Sequence, residues 1–127
     1  MSFRVELVLA MVVAATYVVI LAETAPDIGF VRDEGYYFKA AEEYVGWCEV
    51  ASKDPLEAVQ RPTIDRFFSY NHEHPALVKL VQGGVHQLLH EEWGLTSSAQ
   101  GFRWAGFLYA ALAIMATFAL GRQIAGP

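Results

Sequence analysis

Residues 7–22 read LVLAMVVAATYVVILA, with no charge and with Thr16 and Tyr17 as the only polar side chains. Adding Val5 and Glu6 makes an 18-residue segment, about 27 Å long as a helix and close to one hydrocarbon thickness. Glu6 falls in the first turn, at the interface and the positive end of the helix dipole, where a carboxylate is tolerated. A second uncharged stretch, WAGFLYAALAIMATFAL, occupies residues 104–120. Its Gly106 and alanines suit close helix packing, while Trp104, Phe107 and Tyr109 suit a headgroup layer. The two stretches predict an all-α membrane protein with transmembrane helices at 5–22 and 104–121. A cleaved signal peptide competes for the first, since Arg4 precedes the run and Ala22-Glu23-Thr24-Ala25 offers small residues. The length of the run and the second span favour an uncleaved anchor.

Charge orients these spans. Arg4 and Arg122 flank them on one side, while residues 23–103 hold 13 of the 14 acids and 7 of the 9 lysines and arginines, a net of −6. Positive-inside logic puts both termini in the cytoplasm and the acidic loop in the periplasm or its equivalent, and the expected setting is a bacterial plasma (inner) membrane. The same acidity excludes nucleic acid as a partner, because no basic patch exists to neutralise phosphates. Cys48 is the only cysteine, so no intrachain disulfide braces the loop. A small buried residue is the expected role for it, with a catalytic thiol as the rarer alternative. A loop of about 80 residues has a marginal core by itself. With the sequence stopping at Gly126-Pro127 directly after the second span, the expected setting is the front end of a larger polytopic bundle.

Within the loop, Asp33-Glu34-Gly35 opens the run YYFKAAEEYVGWC. Tyr37, Ala40, Ala41, Tyr44, Val45 and Cys48 share one helical face and Lys39, Glu42 and Glu43 another, which predicts a helix near 35–48. Residues 51–71 read as a linker broken by Pro55 and Pro62. A second helix is predicted near 76–93, started by Pro75. Leu77, Val78, Val81, Val85, Leu88 and Leu89 form its apolar face, and Lys79, Gln82, His86 and His90 a polar stripe. Gly83-Gly84 weakens or bends this helix. Both loop helices are of the kind that lies along a membrane surface or under a bundle. Residues 94–101 read as a turn-rich return.

Asp33-Glu34 stands ten residues beyond the first span, at the water edge of the membrane, where a carboxylate is readily solvated and usable as a base. A span, an Asp-Glu pair just beyond it and a helix opening with aromatics (DEGYYFKAAEEY) resemble the first extracytoplasmic loop of the GT-C glycosyltransferases. NHEHPALVKL is similar to the His-Pro-Pro-Leu-Ala-Lys stretch of the protein O-mannosyltransferases and aminoarabinose-transferase-like enzymes, with Ala76 in place of the second proline. GFRWAGFLYAALAIMATFALGR resembles the start of their second span. The resemblance covers nearly the whole chain in order. It implies sugar transfer from a polyprenyl-phosphate carrier, as in protein glycosylation by a mannosyltransferase, with Asp33 as general base and Glu34 orienting the acceptor. By the same resemblance Glu73 and His74 contact sugar or phosphate. Lys79 and Arg103 offer positive charge to the carrier phosphate, against the plainer roles of interfacial lysine and headgroup anchor. The implied partners are the lipid-linked donor, the bilayer and the remaining transmembrane helices.

Plainer readings stand beside these. Asp33 also suits a helix cap. Tyr36, Tyr37, Tyr44 and Trp47 at helical spacing suit packing, not sugar platforms, and Trp93 and Trp104 suit an interface belt. No cofactor is expected. A divalent metal at His72-Glu73-His74, or at His86 and His90 (i, i+4), is the alternative, weakened by the lack of a third ligand at recognisable spacing; otherwise His86 and His90 face solvent. If the chain is not an enzyme, it is a two-span membrane protein acting by helix contacts, as an assembly subunit or adaptor; a secreted acidic domain is disfavoured by the second span.

Overall fold

The structure, a computed structural model, describes residues 3–126, and among them it is helical with no strand. Helix α1 spans Phe3–Thr24 and runs on through a 3₁₀ turn, Ala25–Asp27. Helices α2 (Glu34–Lys53), α3 (Pro55–Ala58), α4 (Arg61–Phe68) and α5 (Ala76–His86) follow. A π-helical segment, Gln87–Glu92, extends α5, and α6 spans Ser98–Ala125. The described residues form two compact units, 3–28 with 103–126, and 29–102.

The first unit holds the two helices that are long and apolar enough to cross a membrane, Phe3–Asp27 and the greater part of Ser98–Ala125. Only 11% of the most apolar window of each is buried, which is not the pattern of a soluble core helix. Polar bonds join their ends in antiparallel fashion. Arg122 pairs with Glu6, and its guanidinium lies 4.5 Å from the Phe3 ring centre. At the other end Arg103 Nη1 donates to the carbonyls of Ala25 (2.8 Å) and Ile28 (3.1 Å), closing the last turn of the first helix. Gly106, expected at a close helix contact, is exposed with nothing within 4 Å of a virtual Cβ.

In the second unit α2 packs on α5. The expected linker at 51–71 is instead two short helices, each with a proline in its first turn, where the missing N–H is no loss. Asp54 caps α3, its Oδ1 accepting from the amides of Leu56 and Glu57 at 3.0 Å each. Trp47 Nε1 donates to the Ala58 carbonyl (2.8 Å), and Phe68 packs on the rings of Tyr44 and Trp47, which ties α3 and α4 to α2. Of the expected α2 face, Ala40, Ala41 and Tyr44 are buried, whereas Cys48, expected buried, is exposed at its far end.

The face of α5 is the largest departure. Leu77, of the apolar row, is 70% exposed and Val78 and Leu88 are also exposed, while Lys79 and His86 of the polar stripe are buried together with Gly83, although His86 was expected to face solvent. Gly83 explains the choice. A Cβ there would sit 2.4 Å from Val45 Cγ2 and 2.5 Å from the Ala41 carbonyl oxygen, so the two backbones meet at a point only glycine admits. Lys79 and His86, one turn either side of Gly83, are carried inward with it and find polar partners there. The return also ends earlier than expected, since α6 begins at Ser98 and buries Gly101 and Phe102 in this unit.

Candidate functional site

The loop between α4 and α5 is built around Lys79. Lys79 is 1% exposed, and its ammonium donates to the carbonyls of Asn71 and His74 (the latter at 3.3 Å) and to Tyr44 Oη (3.3 Å) and lies 5.0 Å from the Tyr44 ring centre. Tyr44 in turn donates to the Tyr70 carbonyl at 2.9 Å. Asn71 takes the left-handed conformation (φ 54°), which asparagine tolerates better than most residues. The 71–74 turn is thereby held against the first turns of α2.

An open cleft of about 390 Å³ results, lined by Asp33, Tyr36, Tyr37, Asn71, Glu73 and His74. Asp33 stands at the N-cap position of α2 but its side chain makes no capping bond; its carbonyl accepts from the amides of Tyr36 and Tyr37. The capping reading of the Asp33 carboxylate therefore does not hold. Glu34 instead reaches back, its Oε2 accepting from the Val31 amide at 3.0 Å. Across the cleft Asn71 Nδ2 donates to Glu73 Oε1 (3.2 Å), and the His74 ring meets Tyr37 edge-on at 5.4 Å. Asn71 Oδ1 is buried without a hydrogen-bond partner among the described residues.

The electrostatics favour a charged Glu73. A hydrogen bond from its own backbone amide, with His72, His74 and Lys79 nearby, holds its carboxyl below the ordinary glutamate value against the opposing effect of desolvation. Burial pushes the Tyr44 hydroxyl up, helped by the charges of Glu73 and Glu43, and burial pushes Lys79 down against the attraction of Glu73.

Three of the six residues singled out in the sequence, Asp33, Glu73 and His74, thus share one cleft. Lys79 lies behind it with its ammonium turned to backbone carbonyls. Glu34 braces the entry to α2, and Arg103 belongs to the other unit. Tyr36, Tyr37 and Asn71 complete the lining and were not singled out; the two tyrosines were read as packing. An Asn before a His-Pro turn is the one signal that pointed to a special backbone position.

A second cluster sits where α5 becomes π-helical. His86, expected at the surface, is buried, its ring stacked on Phe102 at 3.8 Å and its Nε2 3.1 Å from Ser98 Oγ. Burial pushes its pKa down, as does the neighbouring His90, against the pull of Glu91 and Glu42. The His86 and His90 rings lie 5.0 Å apart. His72, on the surface, pairs instead with the Ser69 carbonyl. No protein-family model matches the chain, and neither a curated protein nor a solved structure is significantly similar to it.

Proposed function

We propose that this chain is part of a membrane glycosyltransferase that moves a sugar from a polyprenyl-phosphate carrier to an acceptor hydroxyl on the extracytoplasmic side of the plasma membrane. One observation supports this best. Asp33 and the Glu73-His74 pair, forty residues apart in sequence, line the same open cleft, and no capping bond accounts for the Asp33 carboxylate. Asp33 takes the proton of the acceptor hydroxyl as its oxygen bonds to the anomeric carbon, and the carrier phosphate leaves with the electron pair of the broken bond. A phosphate needs no strong acid to leave. Glu73 and His74 orient the acceptor, and the exposed ring of Tyr36 offers the sugar an apolar surface. The lysine within reach is turned inward, so the carrier phosphate is held by groups outside this cleft.

Location supports the reading. Asp33 follows the end of the first apolar helix, at Asp27, by six residues and so lies at most about 20 Å from it. A carrier head anchored at the interface is within that reach. The outward apolar face of α5 suits the same interface. In membranes carrying the whole enzyme, Asp33→Asn is expected to lower sugar transfer from a polyprenyl-phosphate donor by about 10²–10⁴-fold at unchanged protein level, while Asp27→Asn leaves it near wild type. Transfer by Asp33→Asn at the wild-type rate overturns the assignment of Asp33 as base, and absence of transfer by the wild type leaves a two-span protein acting by helix contacts.

A further inference from the structure

The cluster at the end of α5 takes no part in this reaction. His86, His90 and Glu91 each offer one ligand atom, and the three atoms lie within 4.8 Å of one another. The π turn makes this possible. In an α-helix His90 follows His86 on one face but Glu91 is swung away. A π turn closes i→i+5 bonds, as Trp93 N–H does on the Leu88 carbonyl (3.1 Å), and takes more residues per turn. Positions i+4 and i+5 then fall on either side of position i. We infer that His86, His90 and Glu91 form a binding site for one divalent transition-metal ion of the zinc class.

The two imidazoles are prepared as ligands. His90 Nδ1 lies 2.7 Å from the Thr96 carbonyl, which can only accept, so Nδ1 carries the proton and Nε2 presents a lone pair. A ring nitrogen held by a backbone carbonyl is the usual support for a metal-binding histidine. His86 is fixed by its stack on Phe102 and by Ser98. Gly101 lets α6 seat beneath both, since a Cβ there would meet His86 Cδ2 at 3.1 Å and His90 Cβ at 3.3 Å. Glu91 is the adjustable ligand: its side chain is 62% exposed and its Oε1 is 3.9 Å from His90 Nε2. Tetrahedral zinc separates its donor atoms by about 3.4 Å, so a contraction of at most about 1.4 Å completes the site. His86 and Glu91 also line an open cavity of about 330 Å³ with Glu42, leaving room for water as a fourth ligand. Two imidazoles and one carboxylate favour zinc-like ions over magnesium or calcium, which take oxygen ligands.

The test uses the full chain, without an affinity tag, in detergent micelles. Zinc is titrated calorimetrically and cobalt by its visible absorption, which reports low coordination by nitrogen and oxygen. One ion per chain is expected. His90→Ala and Glu91→Gln, both partly exposed and each checked for helical content, are expected to weaken binding about tenfold or more. His72→Ala, which removes a surface histidine outside the cluster, is expected to change nothing, and excess magnesium is expected not to compete. Absence of saturable binding, wild-type affinity in both ligand variants, or displacement by magnesium each overturns the inference.

Discussion

Two charged residues, Glu73 within the 71–74 turn and Lys79 just beyond it, show how little a side chain's type says about its duty. Lys79 has the composition of a surface cation and the setting of a core residue, because three oxygens converge on its ammonium. Removing one partner of so buried a group costs far more than the loss of a surface charge. Glu73 is the reverse case, exposed yet shifted. Its folded pKa lies below the unfolded value of 4.5, so the stability it contributes is full above that value and is lost as pH falls through the lower folded one. Thermal unfolding of the chain in detergent should show this: the gap between wild type and Glu73→Gln, constant near neutral pH, closes below pH 4.5. Parallel acid limbs would refute the shift. Asp33, Glu73 and His74 were legible in the sequence as a motif order. Tyr36 and Tyr37 were not, since nothing in an aromatic's spacing tells a cleft wall from a packed face.

For the elements, α2 was legible because its small and aromatic residues recur at helical spacing and the small ones meet α5. The face of α5 was not. Periodicity reports which residues share a face, and burial usually follows the apolar one. Here backbone approach decides instead, through Gly83 against Ala41. Adjacent glycines give a paired test. Gly83→Ala drives a Cβ into a carbonyl oxygen that has no rotamer to escape by, and is expected to destabilise the unit by about 1–3 kcal/mol. Gly84→Ala meets nothing within 4 Å and is expected to stabilise by up to about 1 kcal/mol through helix propensity. Circular-dichroism melts of the two variants decide the matter; shifts of the same sign would refute the close approach. The π segment was illegible for a related reason, since an α-helical period leaves Glu91 off the face of His86 and His90.

On the scale of the whole molecule, the exposed Cys48 is a natural probe of sidedness because it is the only cysteine. With the loop extracytoplasmic, a membrane-impermeant maleimide labels it in intact spheroplasts. Labelling that appears only after permeabilisation would place the loop in the cytoplasm and reverse the proposed topology. The outward apolar face of α5 bears on the same question, because an exposed row of Leu77, Val78 and Leu88 asks for lipid or further helices to cover it.

The sequence by itself determined the two apolar helices and, of what joins them, the helices α2 and α5. Both follow from composition and period, which depend only on near neighbours along the chain. Which face of α5 turns inward, the conversion of its last turns to a π-helix and the meeting of Asp33 with Glu73 and His74 were decided by tertiary structure alone. Each depends on a contact between residues distant in sequence: Gly83 on Ala41, Gly101 beneath His86, and Lys79 on the carbonyls of the turn before it and the hydroxyl of Tyr44. Steric fit and the need to satisfy buried polar groups set those contacts, and neither leaves a periodic trace in a single sequence.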